Sequence, residues 1–184
     1  MPQGQMPTSE LLALSPRQNP EAPIPFCDGR GLKRLVRFGL VWLERHQAAI
    51  NTLNVYPVPD GDTGTNMVLT MRSAYAEVEE SPEEEAGIIA QKVAHGALMG
   101  ARGNSGVILL QIFRGFARTM KGVVAFDTVQ FAAGLGEASV TAYKGVIKPV
   151  EGTILTVARE AAEEAVSAAA SSRDLRYVLE KVVH

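Results

Sequence analysis

An all-α domain is what this chain predicts, on three observations. Apolar residues recur at helical spacing almost throughout, no segment alternates polar and apolar residues over a full strand length, and helix-start signals punctuate the pattern. The first helix, over about residues 31–50, puts Leu32, Val36, Leu43 and Ile50 on one face. The second starts near Gly64 and carries Val68, Met71, Tyr75 and Val78. Ser81-Pro82-Glu83-Glu84 has the form of a capping box with proline at the first helical position, so a third helix is expected to start there and to contain Ile89, Val93 and Ala97. A fourth begins near Asn104 and is expected to bury Leu109, Ile112, Phe113 and Phe116. Asp127, with Gln130 three residues on, caps a fifth, and Thr153 opens a sixth rich in alanine. A seventh starts near Arg173 with Leu175, Val178, Leu179 and Val182, and the sequence stops inside it without the glycine or C-cap that commonly closes a helix. A C-terminally incomplete domain is therefore expected.

Three of the breaks between helices carry chemistry. Asn54-Val55-Tyr56-Pro57-Val58-Pro59-Asp60-Gly61-Asp62-Thr63-Gly64-Thr65-Asn66-Met67 sets two carboxylates one residue apart. Pro57 and Pro59 stiffen the approach, since each fixes its own φ and biases the preceding residue toward extended geometry. Gly61 and Gly64 permit backbone angles that other residues resist. On such a turn Asp60 and Asp62 can converge on one hard cation, because carboxylate oxygens are the ligand type Mg²⁺ prefers. Thr63 to Asn66 then supply amide N–H groups at a helix start, where unpaired donors and the positive end of the helix dipole attract phosphate. For this motif alone, a proline-braced turn with Asp62 or Thr63 as N-cap is an equally good account. Gly100-Ala101-Arg102-Gly103-Asn104-Ser105-Gly106 repeats the arrangement, and Pro149-Val150-Glu151-Gly152-Thr153 does so again. Singly each reads as a capped loop; together they point to an anion site.

The segments NVYPVPDGDTGTNM, GARGNSGVILLQIFRGF and PVEGTILTVAREAA, in that order, resemble the N-terminal ATP-binding domain of bacterial fatty acid kinase, which is related to the nucleotide-binding L subunit of dihydroxyacetone kinase. The resemblance runs from about Asp28 to the end of the sequence and divides the chain into a flexible leader, 1–27, and an ATP-binding kinase domain, 28–184. It implies an up-and-down barrel of eight helices with the nucleotide at one end, truncated here before or within the last helix. It implies ATP or ADP with two Mg²⁺ ions, and transfer of phosphate from ATP to a carrier-bound fatty acid carboxylate, giving an acyl phosphate. The implied partners are a fatty-acid-binding carrier protein and downstream domains of a longer chain. By the same resemblance Asp60 and Asp62 are the catalytic, metal-binding carboxylates, and Asn54 sits near the third ligand position, where dihydroxyacetone kinases carry aspartate. Thr63, Gly64, Thr65 and Asn66 match the phosphate-contacting turn, Asn104 and Ser105 the second nucleotide loop, and Gly145, Thr153 and Ile154 positions around the nucleoside. Thr63 stands where the dihydroxyacetone kinase relatives carry histidine. A carboxylate acceptor is already an anionic nucleophile and needs no general base, whereas a hydroxyl acceptor wants one. Two other readings stay open: the nucleotide subunit of a dihydroxyacetone (glycerone) kinase, served by a separate ketone-binding subunit, and a nucleotide-sensing module without catalysis.

Composition narrows the field. With 184 residues, 46% of them hydrophobic, the chain suits one domain with a single core. A net charge of −2 without a basic stripe argues against nucleic acid as a partner. The single cysteine, Cys27, rules out an intrachain disulfide, offers no zinc set and points to a reducing cytoplasm. No stretch fits a signal peptide or a transmembrane span, and the absence of GxxxxGK(S/T) excludes a P-loop. Trp42 and Phe38 are expected in the core, with a partner surface as the other reading, and His95 as a buried or partly buried helical histidine. Glu77, Glu79, Glu80 and Glu83 to Glu85 read as a solvated connection, and Arg102 either reaches a phosphate or stays in water. A missing helix would expose an apolar face, so a homodimer or a detergent-like ligand in that groove is expected as well.

Overall fold

The structure, a computed structural model, describes residues 22–55 and 59–184. These form β1 (Cys27–Asp28), α1 (Gly29–Thr52), α2 (Thr63–Glu79), α3 (Ala86–Gly100), α4 (Gly103–Thr119), β2 (Ala125–Phe126), α5 (Thr128–Lys144), α6 (Ile154–Ser171) and α7 (Leu175–Val183). The protein is all-α, with seven helices among the described residues where the resemblance implied eight. β1 and β2 pair antiparallel, Cys27 with Phe126 and Asp28 with Ala125. Strands of two residues are too short to leave an alternating pattern, and the sequence reading missed them.

Consecutive helices run antiparallel, and side-chain pairs mark their registers. Arg72 of α2 meets Glu44 of α1 at 2.8 Å, His95 of α3 lies 3.2 Å from Glu77 of α2, and Arg118 of α4 meets Glu137 of α5 at 2.8 Å. Such exposed pairs are each worth at most about 1 kcal/mol, so the buried side chains hold the helices together. Leu32, Val36 and Leu40 from α1 pack with Met71, Ala74 and Val78 from α2 and with Ile89, Val93 and Ala97 from α3. Leu110 and Ala117 of α4, Ala165 and Ala168 of α6, and Leu175 and Val178 of α7 complete the core. Alanine recurs at these contacts because a short side chain lets two helices approach closely. Phe116, Phe126 and Phe131 form an aromatic cluster with centroids 5.9–6.2 Å apart.

That cluster sits at one end of the bundle, the base, which backbone hydrogen bonds fasten. Gly29 N–H donates to the Glu84 carbonyl at 2.6 Å, Ala86 and Gly87 donate to Val124 and Val123 at 2.9 and 2.8 Å, and Leu175 donates to Ile24 at 2.9 Å. Ile24 N–H reaches Asp174 Oδ1 at 2.9 Å, and the Ala22 carbonyl accepts from Arg176 at 3.1 Å. Residues 22–24 of the leader expected over 1–27 are thus held at the start of α7, Cys27 pairs with Phe126, and 1–21 lie outside the described residues. Burial, helped by the negative charge of Asp28 and only partly offset by Arg34, pushes the Cys27 thiol up to about 12. It is therefore a protonated, unreactive group at neutral pH.

Four local expectations are corrected. Ser81-Pro82-Glu83-Glu84 does not open α3, which starts at Ala86 after Glu85, whose side chain makes no capping bond. The N–H groups of Ala86 and Gly87 find carbonyls at 123–124 instead, and Ser81 Oγ accepts from Lys92 Nζ at 2.8 Å. Tertiary backbone bonds have replaced the local cap. Phe38 and Trp42 are 67% and 64% exposed rather than in the core. α1 carries more apolar residues than one face can hide, and Leu32, Val36 and Leu40 take the inner positions. His95 is exposed on α3 beside Glu77. On α4 the fully buried leucine is Leu110, while Leu109, Ile112, Phe113 and Phe116 are half-buried. By contrast Asp127 and Gln130 form their capping box, with reciprocal bonds of 2.8 and 3.1 Å. Thr153 caps α6, and Asp174 caps α7 by accepting from Arg176 N–H at 3.0 Å. No described helix is long and apolar enough to cross a membrane.

Candidate functional site

Opposite the base, the starts of α2, α4 and α6 share one end of the bundle. The first loop turns at Gly61, whose φ of +68° suits a residue without Cβ. Asp62 stands at the N-cap of α2, yet its carboxylate makes no capping bond. Asp60 accepts from Asn54 Nδ2 at 2.6 Å, which ties the two arms of the loop together. Among the described residues neither aspartate belongs to an ion pair. Tyr56, Pro57 and Val58, including the proline expected to brace the approach, lie outside the described residues.

Gln47 and Asn51, in the last turns of α1, hold the first turn of α2. Thr65 N–H donates to Asn51 Oδ1 at 3.1 Å, and Thr65 Oγ1 accepts from Gln47 Nε2 and Asn51 Nδ2 at 3.0 and 3.1 Å. Asn66 N–H bonds to the Asp62 carbonyl at 2.8 Å. Of the expected phosphate-contacting turn, Thr63 and Gly64 therefore keep amides without a partner among the described residues, while Thr65 and Asn66 spend theirs on the scaffold. The close seat of α2 on α1 depends on Gly64, where a Cβ would come within 2.5 Å of the Gln47 carbonyl oxygen. Sequence reading missed Gln47 and Asn51, because polar residues at a helix end carry no local sign of a partner 14 to 18 residues away.

The second loop is laced to the first. Ser105 Oγ donates to the Thr63 carbonyl at 3.2 Å, Arg102 N–H donates to Thr70 Oγ1 at 3.2 Å, and Thr70 Oγ1 donates to the Asn66 carbonyl at 2.8 Å. Gly103 opens α4 at φ +55°, with Asn66 so near that a Cβ would lie 2.3 Å from Nδ2. The N-termini of α2 and α4 thus lie side by side, with Asn104 exposed between them and water. The Arg102 guanidinium stays on its own neighbour, the Ala101 carbonyl, at 3.2 Å.

The third loop has its own lock. Glu151 accepts from Tyr143 Oη and Thr156 Oγ1 at 2.8 Å each and from Arg159 at 3.3 Å, joining the end of α5 to the start of α6. The Tyr143 hydroxyl first, then Thr156 and Arg159, hold the Glu151 carboxyl below its ordinary value, and the carboxylates around Arg159 hold that guanidinium charged. Gly145 ends α5 beside Gln111, Thr153 Oγ1 donates to the Val150 carbonyl at 2.8 Å, and Ile154 is half-buried at the start of α6. No hydrogen bond among the described residues joins this loop to the other two. A carboxyl lowered on folding stabilises above its unfolded value, here near 4.5, and loses that contribution as pH falls through the lowered one. Glu151→Gln is therefore expected to cost a little stability at pH 7, and thermal melts should show the gap to the unmodified chain narrowing as pH falls below 4.5.

The donor set suits a hard cation. Asp60 and Asp62 offer carboxylate oxygens and Asn54 an amide oxygen, while no group of three histidine, cysteine, aspartate or glutamate side chains lies together among the described residues. Such donors would fit Mg²⁺ held by one or two carboxylates and completed by water and ligand oxygens better than an all-protein cage.

The chain is 45% identical over 155 residues to protein YloV of Bacillus subtilis, covering 84% of this chain and 28% of that protein. It is 46% identical over 158 residues to an uncharacterized protein of Staphylococcus saprophyticus, covering 84% and 29% respectively. A Staphylococcus aureus relative is 47% identical over 141 residues, covering 77% and 26%. The chain thus spans less than a third of the length of these relatives. The family model for the DAK2 domain matches residues 57–184, from the aspartate turn to the end of α7, and the chain belongs to this family of dihydroxyacetone kinase-like, nucleotide-binding modules.

Proposed function

We propose that this chain is the ATP-binding domain of a cytoplasmic fatty acid kinase, which phosphorylates a fatty acid carboxylate presented by a carrier protein. The observation that supports it most is the pair of helix N-termini, α2 and α4, tied together by Ser105 and Thr63 beside two aspartates that form no ion pair among the described residues. Thr63 and Gly64 would bind phosphate oxygens through their free amides, and the start of α4 at Gly103 to Ser105 would do the same. Asn104 and Ser105 flank the triphosphate in this reading, and Gly145, Thr153 and Ile154 border the nucleoside. Asp60 and Asp62, with Asn54, would hold Mg²⁺, which when bound neutralises triphosphate charge and fixes its geometry.

A carboxylate acceptor suits these residues. Its oxygen forms a bond to the γ-phosphorus while the bond to the β–γ bridging oxygen breaks, leaving ADP and an acyl phosphate, and no proton has to move. His46 packs against the Trp42 ring and His95 against Glu77, so neither contacts the aspartate loop. The test is a transfer assay on the full-length protein with Mg-ATP, carrier and fatty acid, trapping acyl phosphate as its hydroxamate. Hydroxamate formation supports the proposal. Phosphorylation of dihydroxyacetone instead would assign the site to a ketone kinase, and nucleotide binding without turnover on either acceptor would make it a sensor.

A further inference from the structure

The outer face of α1 is unlike the rest of the surface. Arg34, Phe38, Trp42 and Arg45 follow one another at helical spacing, on the side opposite the buried Leu32, Val36 and Leu40. Phe38 and Trp42 are 67% and 64% exposed, and Leu35 and Val41 flank them at 37% and 36%. Arg34, Arg37 and Arg45 form no ion pair among the described residues. The single acidic residue of α1, Glu44, is turned to Arg72 of α2, so the outer face of α1 carries positive charge where the sequence reading had found no basic stripe.

We propose that this face docks on an anionic lipid bilayer, with α1 lying in the plane of the membrane surface. Phe38 and Trp42 would enter the boundary between headgroups and acyl chains, where an aromatic ring gains from partial burial, and the guanidinium groups of Arg34 and Arg45 on the stripe, with Arg37 reaching from its flank, would meet lipid phosphates. Charge decides between candidate occupants. Two copies meeting symmetrically through α1 would bring arginines against arginines, which opposes a dimer. A bilayer offers a broad negative surface to a convex helix of 24 residues, about 36 Å long. Docking of this kind is independent of which acceptor the proposed kinase uses.

Trp42 is the only tryptophan in the chain, so its emission reports this face alone. Adding phosphatidylglycerol vesicles to the chain should shift the emission to shorter wavelength, and lipids brominated on the acyl chain should quench it. Phosphatidylcholine vesicles should do neither, and salt should weaken the effect. Replacing Arg34, Arg37 and Arg45 together by glutamine should weaken partitioning roughly tenfold or more, and all three positions are exposed. If that variant lost its helical spectrum, quenching of the unaltered chain by brominated lipid would decide alone. No shift on anionic vesicles overturns the proposal and leaves another segment of a longer chain or an acidic protein as the occupant. Equal shifts on neutral and anionic vesicles, or unchanged binding by a folded arginine variant, overturn it too. A shift that grows with protein concentration in the absence of lipid would overturn it in favour of a second copy.

Discussion

Replacing Asp60 and Asp62 together by alanine is expected to abolish magnesium-dependent ATP binding and to leave the helices in place. Asp60 is exposed, Asp62 is half-buried and makes no capping bond, and the substitution removes a single exposed hydrogen bond, the one Asp60 accepts from Asn54. Removing an exposed side chain of this kind changes stability by less than about 1 kcal/mol. The ligand effect is far larger, because both charged oxygen donors of the proposed cation site vanish and only the Asn54 amide remains. Affinity for Mg-ATP should fall by about a hundredfold or more. The sign reverses without the metal: two negative charges beside a polyphosphate repel it, so the variant should bind metal-free ATP no more weakly than the unaltered chain. Calorimetric titrations with magnesium and with a chelator separate the cases. Equal magnesium dependence in both proteins would remove the aspartates from the site.

The largest effect on stability is expected at Gly87. Its N–H donates to the Val123 carbonyl at 2.8 Å, and a Cβ at this position would lie 2.2 Å from the Met120 carbonyl oxygen and 3.2 Å from Val123 N and O. Every one of those atoms is backbone, at the point where α3 is bolted to the segment leading into β2, so no side-chain rotation can relieve the clash. Gly87→Ala should therefore cost about 3 kcal/mol or more, against the usual 1–3 for overpacking that side chains can absorb. That is a fall of roughly 6–12 °C in Tm for a chain of this size. Gly136 is the internal control, since nothing lies within 4 Å of a Cβ built there. In mid-helix on α5, Gly136→Ala should stabilise by about 0.5–1 kcal/mol. Two melting curves test both; a neutral Gly87→Ala would mean that the base is looser than its hydrogen bonds imply.

Local signals were legible where a residue and its partner lie within one turn. Asp127 with Gln130, and Thr153 at the start of α6, announced their helices because each cap is complete within three residues. Ser81-Pro82-Glu83-Glu84 carried the same signal and failed, because distant backbone carbonyls claimed the amides first. Hydropathy could not tell the two sides of α1 apart, since Leu32, Val36 and Leu40 on the inside alternate with Leu35, Phe38 and Trp42 on the outside. At the candidate site the loops themselves stood out through their glycines, aspartates and hydroxyls. The lacing between them did not: Ser105 reaches Thr63 across 42 residues, and Thr65 is held by Gln47 and Asn51 from another helix. The Glu151 lock shares this property, because one loop carboxylate gathers Tyr143 from α5 and Thr156 and Arg159 from α6, with no periodicity to betray it.

The two ends of the bundle are built from different materials. The base is joined by main-chain bonds, from Gly29 to Glu84, Ala86 to Val124, Gly87 to Val123 and Leu175 to Ile24, and at Gly29 and Gly87 a Cβ would strike the backbone across the joint. The opposite end is joined by hydroxyls, amides and carboxylates, each specific to its residue. Such a division separates what must persist from what is free to diversify. A substitution among the polar side chains at one end can thus alter its chemistry while the main-chain joints at the other still hold the helices in register.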